Sequence, residues 1–256
     1  MAGLQQLNWD SEGVGSKAAA LVDLSTVAGN KISNPPWVKF QSAGWVNFPS
    51  APTLISTIDV SSLPKREALE ATAQENAFRI ARDAPWIVNA GEMAAEIGDQ
   101  KGSLKAKYMR LRKLGDRIAE AIGPHSACQK TCSHCCHIAV AIHEVEADII
   151  AEATGRKRTQ SPSGEPVGEL ANRYFRQPCP FLKQNACSIY NSRPMACRLH
   201  FSISGTNAMC DTRIAPVDST AINLNLNDFW FGYMSVMHVS PMEDVRHYFP
   251  NPQTRK

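Results

Sequence analysis

The run CQKTCSHCCH, residues 128–137, places four cysteines within nine residues: Cys128, Cys132, Cys135 and Cys136. A second run, PCPFLKQNACSIYNSRPMACRLHFSISGTNAMC at 178–210, carries Cys179, Cys187, Cys197 and Cys210, which completes the eight cysteines of the chain. None lies before residue 128 or after residue 210, so the cysteines mark out one region. In a reducing compartment, clustered thiols are more often metal ligands or redox groups than structural disulfides. The sequence is therefore read as organised around a thiolate centre that holds metal, and the two runs are expected to converge in space.

Several converging thiolates select zinc, copper(I) or iron–sulfur. Cys132 and Cys135 have the C-x2-C spacing by which a tight turn presents two sulfurs to one ion. Cys135 and Cys136 are adjacent, so their side chains diverge. A cluster with several irons accepts such a pair more readily than one tetrahedral ion does. Eight thiols suffice for two four-ligand sites, or for one cluster with thiols to spare, and spacing alone does not separate Zn2+ from an iron–sulfur cluster. His134, His137, His143 and His200 stand near the cysteines, with His125 further off. A lone histidine is more often a hydrogen-bonded residue than a ligand. Four thiolates around a divalent ion leave a net negative charge, so Arg193 and Arg198, on either side of Cys197, are candidates to stabilise the site through guanidinium donors. Tyr190 and Pro194 fit a turn that holds this segment in place.

The combined pattern C-x3-C-x2-C-C, PCPFL and C-S-I-Y-x2-R-P-x2-C-R over residues 126–203 resembles the YkgJ-like cysteine-cluster family of zinc- or iron-chelating proteins. Carried over by position, Cys128, Cys132, Cys135, Cys136, Cys179, Cys187 and Cys197 fall on the family's cysteines. Pro180, Phe181, Tyr190, Arg193, Pro194 and Arg198 fall on its accompanying residues. Ser133 stands where many members have glycine. Cys210 lies beyond the matched block, and its role as a ligand rests on count and proximity. The resemblance implies metal chelation and leaves any reaction open. Flagellin lysine methylases share a similar block and are associated with iron–sulfur-dependent methyl transfer.

Outside the cysteines the chain is ordinary. Its 256 residues, 43% hydrophobic, allow a sizeable core, and a formal net charge of +3 argues neither for nucleic acid nor for an acidic surface. The amino terminus lacks a basic stretch followed by an apolar one, and no apolar run nears the roughly 20 residues of a membrane helix, so a soluble, cytoplasmic protein is expected. Residues 1–60, rich in Ser, Asn, Pro and Ala, read as an extension with a short helix over 16–29 and an extended stretch over 34–52. Residues 61–125 read as a helical segment. One helix opens at Ser62–Pro64 and buries Leu69, Ala73, Ala77, Ile80 and Ala81. A second runs from Ser103 to Ile122 with Leu104, Tyr108, Leu111, Ile118 and Ile122 on its apolar side. Its other side carries Lys105, Lys107, Arg110, Arg112, Lys113 and Arg117, which suits an anionic partner or, more simply, a solvated face.

Residues 126–215 form the cysteine region. It contains a short strand near 138–142, a helix from Glu144 with Gly155 at its end, a polar loop over 156–168 and a helix within 168–177. Residues 216–256 read as an aromatic helix over 222–239 followed by a fraying tail. The fold class is mainly α with a few short strands and an irregular cysteine-rich metal-binding centre. Three functions compete: a metal-binding protein, an iron–sulfur enzyme with a pocket near Arg193, Arg198 or His200, and a zinc-stapled module that meets a macromolecule through its basic helix.

Overall fold

The computed structural model describes residues 40–42, 55–159 and 167–250. The helix expected over 16–29 and most of the extended stretch lie outside them. Among the described residues the chain is mainly helical, with short two-stranded sheets, and no helix is long and apolar enough to cross a membrane.

The first helix, α1 (Arg66–Asp83), begins two residues after Pro64 and buries Leu69, Ala73, Ala77 and Ile80, as their three- and four-residue spacing dictates. A tight turn over Pro85–Asn89 leads into α2 (Ala90–Asp99). This helix was not anticipated, although Ala90, Ala94 and Ile97 repeat at helical spacing and are buried; a ten-residue helix of small residues gives a weak apolar signal. The next, α3 (Leu104–Ile122), starts where Ser103 Oγ accepts from Ala106 N.

A strand, β2 (Ala141–His143), then runs straight into α4 (Glu144–Thr154), which Gly155 ends at φ +67°, the left-handed conformation glycine adopts without strain. Next come α5 (Val167–Tyr174) and the hairpin β3 (Leu182–Lys183) to β4 (Ala186–Cys187), turned by Gln184 and Asn185, both at positive φ. The short α6 (Met195–Arg198) follows Pro194.

The carboxy-terminal region departs from expectation twice. The INLN stretch opens as a strand, β5 (Ile222–Leu224), antiparallel to β1 (Phe40–Ser42), and helix begins only at α7 (Asn227–Met237). The tail up to Pro250 does not fray: β6 (Met242–Asp244) pairs antiparallel with β2, and α8 (Val245–Tyr248) follows. Both strands are only three residues long, and only β5 alternates in burial, so neither stands out without its partner strand.

Two apolar cores result. The larger joins α1, α2, α3 and α7, and the smaller gathers Val140, Ile142, Ile150, Phe181, Ile189, Val245, Tyr248 and Phe249. Helices α2 and α7 cross at backbone contact: a Cβ on Gly232 would lie 2.2 Å from the carbonyl oxygen of Gly91. Cys128 and Cys210 pack on the large core, and Cys179, Cys187 and Cys197 on the small one. The cysteines thus sit on the seam between the two.

The cysteine centre

The amino-terminal cysteine run is fixed by backbone bonds at both ends. Ala127 N donates to Ser202 O at 2.9 Å, and Ser126 Oγ accepts from Cys128 N at 3.3 Å. At the far end a 3-10 turn spans His134–His137, and Cys136 O accepts from Cys179 N at 2.7 Å, which couples the two runs directly. Ser133 lies at φ −121° and needs no glycine. In the second run Cys187 is carried by β4 and Cys197 by α6, while Cys210 ends the turn Ala208–Cys210. Met195 N, at the head of α6, donates to the buried carboxylate of Glu146 at 2.8 Å, so α4 sets the position of Cys197.

These anchors bring seven cysteines to one cavity of about 80 Å3: Cys128, Cys132, Cys135, Cys136, Cys179, Cys187 and Cys197. Cys210 stands behind them, with Cys128, Cys132 and Cys135 as neighbours. All eight are free thiols. Cys128 Sγ accepts from Ser202 N at 3.3 Å and donates to His200 O at 3.8 Å, and Cys132 Sγ accepts from Asn207 Nδ2 at 3.4 Å. Burial pushes Cys128 and Cys179 up to about 11 and Cys210 up to about 12. Cys187 and Cys197 are raised for the same reason, and Cys135 is raised by its hydrogen bond with Cys136 and by burial. Without a cation the pocket therefore favours neutral thiols. Consistent with that, no three Cys, His, Asp or Glu side chains among the described residues already stand as the ligand set of one ion. Closing such a set requires the thiols to draw together, and a metal supplies the drive by stabilising the thiolate.

The donor set fits a metal centre, and Arg193 fits it further. Its guanidinium lines the cavity and lowers the pKa of Cys128, Cys187 and Cys197. It stacks 4.1 Å from the ring centroid of Tyr190, yet its Nε is buried without a hydrogen-bond partner. A buried cationic donor left unmatched by neutral thiols is matched once they carry negative charge. Tyr190 lines the same cavity. Arg198 does not: its guanidinium turns to Asp116 on α3 and to the carbonyls of Asn191 and Arg193, both at 3.1 Å. Of the two arginines expected as alternatives, Arg193 lines the cavity, and Arg198, buried against α3, takes Asp116 as its carboxylate partner. His200 lines the cavity, while His134 and His137 do not, and His125 pairs with Asp83 at 3.2 Å.

Sequence reasoning missed the residue that ties the runs together. Arg246 on α8 donates to Cys136 O, Ile138 O, Gln177 O and Pro178 O at 2.6–3.5 Å. It is held by the fully buried Asp244, whose Oδ1 lies 3.0 Å from Arg246 Nη1 and whose Oδ2 accepts from Val140 N at 2.6 Å. An Asp-x-Arg pair in a tail with no other signal reads as two surface charges. Most of the basic side of α3 is likewise engaged within the chain: Lys105 pairs with Glu152 at 2.6 Å, Lys107, Arg110 and Arg112 bind the carbonyls of Gly98, Lys101 and Asn191, and Arg117 lies over Trp86.

No curated protein and no solved structure matches the chain. The model of the CxxCxxCC family, described as a putative zinc- or iron-chelating domain, matches residues 127–214, about a third of the chain, and all eight cysteines fall inside the match. Residues 127–214 are thus similar to a zinc- or iron-chelating domain, in agreement with the resemblance carried by the motif, and this supports metal binding.

Proposed function

We propose that this centre holds iron as an iron–sulfur cluster, and that the protein is a metal-binding protein whose cluster organises the seam between the two cores. The observation that carries this reading is the convergence of seven thiols on a single cavity that Arg193, whose Nε has no hydrogen-bond partner, also lines. The volume favours a cluster over one ion: about 80 Å3 is several times the ~10–15 Å3 that one water needs. Adjacent Cys135 and Cys136 suit a cluster because its several irons take ligands from different directions. Such a cluster supplies one-electron chemistry. The chain's own part is to present thiolates, to place Arg193 against their charge and to limit water through Phe181, Ile189 and Phe201, which line the same cavity. Free thiols in this number suit a reducing compartment such as the cytoplasm. The test is purification without oxygen after expression with ample iron. Brown protein with stoichiometric iron and acid-labile sulfide, bleached by dithionite, supports the reading; colourless protein with stoichiometric zinc rejects it.

A second reading, an iron–sulfur-dependent enzyme, draws support from one feature. A cavity of about 370 Å3 adjoins the thiols and shares Cys135, Cys197 and His200 with theirs, which gives a substrate a place beside the cluster. The macromolecule-binding reading is less favoured, since Lys105, Lys107, Arg110, Arg112 and Arg117 on α3 all have partners within the chain.

A further inference from the structure

The larger cavity meets the thiol cavity along a shared wall of Cys135, Val140, Cys197 and His200. Away from that wall its lining is mostly apolar, with Leu170, Leu224, Trp230 and Met234 among it. The other titratable side chains of the lining are committed to the protein. Glu146 accepts from Tyr108 Oη, Met195 N and His143 N, and Tyr233 is hydrogen-bonded to it as well. Asp244 pairs with Arg246. His143 Nδ1 lies 2.9 Å from Ser240 O, and its Nε2 is sealed by the packing around it.

His200 is different. Its ring makes no hydrogen bond with any described residue, and neither of its nitrogens is sealed. The ring lies deep enough for burial to lower its pKa, yet the residue is only half-buried. The two facts agree because the surface it keeps faces the cavities and not the outside of the molecule. A neutral imidazole presents one N–H and one bare nitrogen, and what satisfies them here has to enter the cavity.

The character of that occupant follows from the rest of the wall. A volume of about 370 Å3 lies within the roughly 300–1,000 Å3 of small-molecule sites. No Lys or Arg stands among the described residues of the lining, and both carboxylates are matched. An anion would meet no cation there, and a cation no free carboxylate.

We propose that this cavity binds an uncharged small molecule, apolar over most of its surface, whose one hydrogen-bonding group is held by His200 at the thiol end. His200 then decides which end of the molecule faces the cysteine centre. The inference goes beyond metal chelation and does not depend on which metal the cysteines hold.

Binding is measured by calorimetry on the full chain at about pH 8, where an ordinary histidine is neutral, with metal content determined on the same sample. Five probes of equal heavy-atom count are compared: 1-phenylethanol, acetophenone, cumene, benzoate and 1-phenylethylamine. The three uncharged probes should bind, and the two charged ones should bind more weakly or not at all. In His200→Leu the alcohol and the ketone should lose about three- to tenfold, the range for one uncharged hydrogen bond. Cumene, which makes no such bond, should keep its affinity and so report that the cavity is intact. His200→Gln, whose amide both donates and accepts, should restore most of the loss. Ala171→Trp, which fills the cavity from its wall, should abolish binding of all three uncharged probes. Tighter binding of benzoate or 1-phenylethylamine, no binding of any probe, equal losses for cumene and the polar probes in His200→Leu, or undiminished binding in Ala171→Trp would each overturn the proposal. Because metal is counted separately, failure here and failure of the iron–sulfur reading are distinguishable.

Discussion

Arg193 and Arg198 lie five residues apart and take opposite directions, one into the thiol cavity and one toward α3. The fork of a guanidinium binds best where its planar donors find matching charge. For Arg198 that is Asp116; for Arg193 we propose the cysteine set whose cavity it lines. Arg193→Ala is therefore expected to weaken metal affinity about 10- to 100-fold, the range for residues that support a ligand set. Arg79→Ala, an exposed residue paired only with Glu75, should leave it unchanged. Chelator competition compares the two. The thiols themselves set a pH dependence for the metal-free protein. In the unfolded chain they ionise at their ordinary 9.0, but folded Cys128 and Cys179 wait until about 11 and Cys210 until about 12. The folded state thus holds more protons between those values, so its stability is full below pH 9 and falls as pH rises through the window from 9 to about 12. Urea unfolding of metal-free protein at pH 8 and pH 10 checks the sign, and equal midpoints would contradict it.

At the scale of elements, two contacts carry disproportionate weight. The crossing of α2 and α7 depends on Gly91 and Gly232, where a Cβ would lie 2.5 Å from Asp228 O and 2.2 Å from Gly91 O. Neither neighbour is a flexible side chain that can swing aside. Gly232→Ala should cost at least ~1–3 kcal/mol by forcing the helices apart, visible as a lowered urea midpoint with an unchanged slope. The second contact is Arg246, through which α8 binds carbonyls on both sides of the cysteine seam. Arg246→Met removes four carbonyl partners and leaves buried Asp244 without its counter-charge. A loss of ~3–5 kcal/mol is expected, with faster hydrogen exchange at 136–140 and 177–180. A loss under about 1 kcal/mol, with exchange unchanged there, would show that the strap is dispensable.

Over the whole molecule, the cysteine centre lies between two apolar cores and touches both. Metal binding and core docking are then linked, because a ligand set drawn from the runs at 128–136 and 179–197 can close only when the cores are in register. Stripping the metal with a chelator should raise hydrogen exchange across 126–210 far more than in α1, whose contacts lie in the large core. Uniform loosening of the whole chain, or none, would count against the centre as the link.

The sequence by itself determined the chemistry and the longer helices. Clustered thiols are legible because no common structural role needs eight of them in one region, and α1, α3 and α4 are legible because each runs long enough for its periodicity and end signals to register. Ser103 and Gly155 mark their helix ends by local backbone chemistry alone. The tertiary structure decided what depends on a partner far along the chain. Three-residue strands such as β5 and β6 exist through their pairing with β1 and β2, and the buried Asp244–Arg246 pair is told from a surface pair by what packs around it. The direction of Arg198 depends on Asp116, 82 residues away. The cavity beside the thiols is lined by β2, α4, α6, β5 and α7 among others, and two of its lining residues, His143 and Tyr233, lie 90 apart in sequence. Local pattern reports local energetics; juxtaposition across such distances is set by which apolar faces find one another, and that is settled only when the chain is folded.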